Sequence, residues 1–176
     1  MKLFKGISCF FNRIAFEIRR IKLKACLISA AIFLGIAVIT WIFGGSIHRA
    51  LVFYQQPRSA MPIALMFILW AISFAFVGFV LGGIIFGCEK YKKQHIYKIF
   101  VLIVLMSLFS YIAYPLFFGG LASFLSFLSY LIACVFCVLA IIYSFKLFSL
   151  WTICLAMHLL WLIYNVVISL GFCLLN

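Results

Sequence analysis

Polar side chains occupy only a few places along this chain. Between them lie five long apolar runs, at about residues 25–45, 62–87, 97–118, 121–145 and 148–175. Each reaches the roughly 20 residues that a helix needs to cross about 30 Å of hydrocarbon, so the pattern predicts five membrane-spanning helices. A polar loop, residues 46–61, joins the first two spans and carries Arg49, Gln55, Gln56, Pro57 and Arg58. A charged loop, residues 88–96, follows the second span with Glu89, Lys90, Lys92 and Lys93. The last two connections are very short, which makes neighbouring spans antiparallel.

Composition turns this pattern into a class. Hydrophobic residues make up 69% of the 176 and charged residues only 9%, which excludes a soluble domain and leaves an all-α integral membrane protein, a bundle of five transmembrane helices. The net charge of +12 would by itself suit nucleic acid. The basic residues cluster beside the apolar runs, however, where topology signals sit, so the implied partner is the lipid bilayer, with no nucleic acid.

Residues 1–24 interleave Lys2, Lys5, Arg13, Arg19, Arg20, Lys22 and Lys24 with Leu3, Phe4, Ile7, Phe10, Phe11, Ile14, Phe16 and Ile18. This is the pattern of a basic amphipathic helix on an anionic membrane face, ahead of a membrane domain over 25–176. The first apolar run is long enough to span and shows no small-residue cleavage pattern, so it reads as a retained span. Twelve of the fourteen basic residues fall in the tail, around the second loop and at Lys146, against Arg49 and Arg58 on the opposite side. That bias predicts a cytoplasmic N-terminus and an outside C-terminus; the expected location of this multi-pass protein is a bacterial cell membrane.

Of seven cysteines, five (Cys26, Cys134, Cys137, Cys154 and Cys173) fall inside apolar runs, and Cys9 and Cys88 stand beside basic segments. No disulfide framework is implied. Cys134-x-x-Cys137 has the spacing of a redox or metal pair, but with no second pair and no histidine near in sequence it reads as part of a span. Glu17 and Glu89 stand alone, and no Ser-His-Asp set, H-E-x-x-H, P-loop or dinucleotide fingerprint occurs. Acid–base catalysis and proton pumping both lack their residues.

Two stripes lie on the helices. Ala71, Ala75, Gly78 and Gly82 recur at spacings of four, three and four, a small-residue face that lets another helix approach within the monomer or across a homodimer. Val80 lies off that face. In the fifth span His158, Trp161, Asn165 and Ser169 recur at three, four and four, a polar stripe that turns to a cavity or to an interhelical hydrogen-bond seam. His158 is the one candidate haem ligand on it, although a lone histidine in an apolar helix is more often a satisfied structural donor.

The segment Ser110–Gly120, SYIAYPLFFGG, ends the third span. Pro115 sits in its last turns, where neighbours re-satisfy the backbone, and Gly119 and Gly120 turn the chain. The segment is similar to N-x-x-W-x-P-x-F-F-G. Gln56-Pro57-Arg58-Ser59-Ala60-Met61-Pro62 leads to Leu69-Trp70 as K-P-x-W-x-P-P leads to V-W, and Gly78 follows. Met157-His158-Leu159-Leu160-Trp161, Ile168-Ser169 and Asn176 stand where P-Y-x-x-W, L-N and a final asparagine would. Over residues 25–176 the chain thus resembles the TspO/MBR family, the tryptophan-rich sensory or translocator proteins.

That resemblance implies a TspO-like fold. It also implies a receptor or carrier for a planar hydrophobic small molecule, a porphyrin or haem-type tetrapyrrole or a sterol. The end of the third helix would meet the middle of the fifth below the first loop, so that Tyr111, Phe117, Trp161 and Asn165 wall one cavity. Trp70 and Ser110 would complete it, and His158 and Ser169 continue the stripe. Trp41 is expected off this wall. No cofactor is required, although porphyrin or haem is a possible ligand. Ser59, Ser110, Ala113, Met157-His158 and Ser169 depart from the family pattern, which keeps open a structural or regulatory subunit without a pocket. A tetrapyrrole-modifying enzyme is a third reading.

Overall fold

Helix-compatible apolar residues with few internal breakers fill each run, and each forms one continuous helix. The computed structural model describes residues 22–45, 54–87, 93–120, 122–145 and 149–176. They form α1 (Leu23–Phe43), α2 (Ile63–Gly87), α3 (Lys93–Phe118), α4 (Ser123–Phe145) and α5 (Ser149–Leu175). All five are long and apolar enough to cross a membrane, and among the described residues there is no strand. The N-terminal segment of residues 1–21, most of the charged loop, Arg49 and Lys146 lie outside the described residues, and with them most of the expected topology signals.

The distribution of polarity is that of a protein whose solvent is lipid. Phe43, Ile42, Phe124 and Leu160 are exposed, while Ser73, Ser107, Ser110, Ser126, Ser144, His158, Asn165 and Ser169 are buried. A water-soluble fold sorts these residue types the other way. Several of these buried serines satisfy their hydroxyls on helix carbonyls, as Ser107 does by donating to Ile103 O at 2.8 Å. Ser126 donates across to Ala113 O at 2.9 Å and so ties α4 to α3.

Around the bundle α1 lies on α2, α2 on α5, α5 on α4 and α4 on α3, with lighter contacts from α3 to α1 and α2. Small residues set the closest approaches. A Cβ added at Gly78 would come within 2.6 Å of Ser29 O, and one at Gly82 within 2.8 Å of the Cys26 Cα. The small-residue face of α2 therefore receives α1 of the same chain. Val80 is fully buried in the main core with Ile103, Met106, Leu155 and Leu162, so it is no neutral surface position.

At the end of α3, Gly119 and Gly120 both donate their N–H to Pro115 O, at 2.8 and 2.9 Å, which closes the helix and uses the carbonyls left at its terminus. The glycines have a second purpose. Gly45, with φ +137°, lies against the Phe118–Gly119 backbone, where a side chain has no room. The ends of α1 and α3 thereby meet backbone to backbone.

Candidate functional site

The end of the bundle where α3 stops and α2 starts is covered by residues 54–61. Hydrogen bonds and packing hold this strap to α5 and to Asn176 just beyond it. The Gln55 N–H donates to Asn176 Oδ1 at 2.9 Å, and Asn176 Nδ2 donates back to Gln55 O at 3.3 Å. The Met61 N–H donates to Tyr164 Oη at 2.9 Å. Pro57 packs over Gly171, where a Cβ would approach its ring to 3.0 Å, so glycine at 171 lets the strap lie flat.

Beneath the strap is a cavity of about 50 Å3. Its walls come from five directions: Gln56, Ala60 and Met61 on the strap, Ile63 and Met66 on α2, Phe117 and Phe118 on α3, Tyr130 on α4, and Asn165, Ile168, Ser169 and Phe172 on α5. Rings make up one side, with Phe117 stacked on Tyr54 at 5.5 Å and set against Phe172 at 4.7 Å. Three buried side chains bring polarity. Asn165 donates from Nδ2 to Trp161 O at 2.7 Å, leaving its Oδ1 for the cavity. The Ser169 and Tyr130 hydroxyls have no hydrogen-bond partner among the described residues.

Behind Phe118 the interior is filled by aromatic rings. Trp41 stacks on Tyr114 at 5.0 Å, and Tyr114 on Trp70 at 5.1 Å. Trp70 meets Phe74 edge-on at 5.4 Å, and Phe74 stacks on Tyr111 at 4.2 Å. Offset and edge-on rings of this kind each add roughly 0.5–1.5 kcal/mol beyond area burial, so the cluster is a firm back wall.

Six of the eight expected site residues divide among three places. Phe117, Asn165 and Ser169 line the cavity. Trp161 instead walls a separate, open groove of about 230 Å3 between α2 and α5, shared with Met61, Ser73 and Tyr164, and its indole stacks on Tyr164 at 5.4 Å. Trp70 and Tyr111 belong to the aromatic cluster, where the Tyr111 hydroxyl donates to Phe33 O at 3.1 Å and ties α3 to α1. Trp41 is off the cavity wall yet part of that same cluster.

Ser110 is buried in α3 with no partner for its hydroxyl among the described residues. His158 is fully buried and edge-on to Phe74 at 5.3 Å. Its ring approaches the Ser73 backbone without completing a hydrogen bond, and it lines neither the cavity nor the groove. Among the described residues no three His, Cys, Asp or Glu side chains gather as a metal site, and the five described cysteines are free thiols.

The other nine lining residues, Tyr130, Phe172 and Gln56 among them, were not among the expected site residues. For Tyr130 a signal existed. On α4 the buried positions Ser126, Ala133, Cys137, Ala140 and Ser144 are all small and recur at helical spacing, and Tyr130 is the one large, polar-tipped residue on that face. Such an exception marks where a helix turns toward space.

Neither a comparison with protein-family models nor one with curated proteins finds a match for this chain.

Proposed function

We propose that this chain is a TspO/MBR-like membrane receptor or carrier that binds a flat hydrophobic small molecule, of tetrapyrrole or sterol type, at the strap-covered end of its bundle. The observation that carries the reading is the cavity itself: aromatic faces from α3 and α5 beside three buried polar groups, under a strap held at its two ends. Ligand sites combine apolar walls with a few placed polar groups in this way. At about 50 Å3 the cavity under the strap has room for only a few waters, so a ligand of this class enters as the strap lifts from Asn176 and Tyr164. Among the described residues the lining carries no carboxylate, histidine or cysteine, which favours binding over acid–base chemistry.

A structural or regulatory subunit of the same fold is the second reading, and the dense aromatic filling behind Phe118 favours it. Trp41, Trp70 and Trp161 all belong to that aromatic cluster, so their emission separates the two. Titration of the purified protein with protoporphyrin, haem and a sterol should give a saturable change with at least one of them. No saturable change with any would leave the subunit reading.

For orientation we retain the charge bias: a reporter fused after Asn176 should be active only outside the cytoplasm, and one inserted at Lys92 only inside. Both active on one side would rule out three spans between these two points.

A further inference from the structure

We infer that the cavity selects an uncharged ligand with a neutral hydrogen-bonding head group, read chiefly by Tyr130, and rejects ligands that bear carboxylates. This rests on the binding role proposed above and narrows it. Tyr130, Asn165 and Ser169 are exposed by only 5%, 8% and 4%, and they come from two different helices to one cavity. Their open valences are two hydroxyls, which donate or accept, and one amide oxygen, which accepts. A hydroxyl, carbonyl or ester on the ligand answers that set.

A carboxylate does not. Among the described residues no Lys, Arg or His lines the cavity, and Arg58 is exposed on the strap and outside the lining. An ionised acid would thus be buried without a counter-charge, which is far more costly than burying a neutral polar group. Helix ends do not make up the deficit. The positive N-terminal end of α2 at Ile63 is offset by the negative C-terminal end of α3 at Phe117 and Phe118. The geometry thereby separates the two ligand types joined above: a free tetrapyrrole diacid is disfavoured, whereas its diester or a monohydroxy sterol is accepted.

The test is a tryptophan-emission titration of the full chain in detergent with four probes: protoporphyrin, its dimethyl ester, cholesterol and cholestane, which lacks the hydroxyl. The ester should bind at least about tenfold tighter than the free acid, and cholesterol at least about threefold tighter than cholestane. Tyr130→Phe keeps the ring and removes the hydroxyl, and it should shrink the cholesterol preference toward one while leaving the protein monodisperse. The acid binding as tightly as the ester, or a cholesterol preference unchanged in Tyr130→Phe, overturns the inference and leaves the binding role standing. No saturable binding by any probe overturns both.

Discussion

Gly78→Leu should leave almost no monodisperse protein in mild detergent, while Gly35→Leu should purify like the wild type. Both are helical glycines in apolar runs, and their surroundings differ completely. At Gly78 the first added carbon already meets α1, with Ser29 O at 2.6 Å, the Phe33 Cβ at 2.8 Å and the Ala30 Cα at 2.9 Å. Two of those atoms are backbone, so no rotamer change relieves the clash and α1 must move away bodily. Around Gly35 nothing lies within 4 Å.

In a bilayer no hydrophobic force pulls helices together, and their association depends on close van der Waals packing. Separating α1 therefore removes most of what holds it. Overpacking typically costs about 1–3 kcal/mol, and here the damage spreads, because α1 also carries the Tyr111 acceptor Phe33 O and the ring of Trp41. Size-exclusion profiles of the two variants decide it. Indistinguishable profiles would remove the α1–α2 seam from this account.

The second large effect concerns binding. Phe117→Leu should weaken the tightest ligand found by titration by about tenfold or more, on the scale of 1.4 kcal/mol. Phe117 stands at the meeting point of strap, α3 and α5, with Tyr54, Phe118 and Phe172 rings around it at 5.5, 4.8 and 4.7 Å. Leucine keeps most of the volume, so the fold survives, but it has no flat face on which a conjugated or fused-ring ligand can lie. Ile142→Ala, on the lipid-facing side of α4 at 56% exposure, should change affinity less than about threefold.

Trp41 would be a poor control for this experiment despite standing outside the cavity, because its ring supports Tyr114 and Phe118 from behind. Trp161→Ala acts at one remove, through the Tyr164 ring whose hydroxyl holds the strap at Met61. Unchanged affinity in Phe117→Leu would mean that the ligand sits elsewhere, with the groove beside Trp161 as the next place to look.

Much of this architecture was legible before any coordinates. Five apolar runs near span length determine five helices, because hydrocarbon leaves an uncovered backbone no alternative to the helix. The Pro115–Gly120 segment announced a helix end and a turn, and the small face of α2 announced a close helix neighbour. Its identity was not announced, since small residues say how near a backbone comes and not whose it is. Only the order of helices around the bundle assigned that face to α1 and left no need for a second copy there.

The site was legible in part for a geometric reason. His158, Trp161, Asn165 and Ser169 share one angular face of α5, and sequence spacing reports angle well. Height along the helix is a different coordinate: at 1.5 Å per residue, eleven residues span roughly 16 Å. The cavity occupies only the end under the strap, so Asn165 and Ser169 reach it, while Trp161 opens on the groove and His158 stays buried below. Tyr130 arrives from α4, where its only signal was being the one large residue on a face of small buried ones. Lengths, ends and faces are local properties and can be read along the chain. Which faces meet, and at what depth, depends on helix order, rotation and tilt, and those are set only when all five helices pack together.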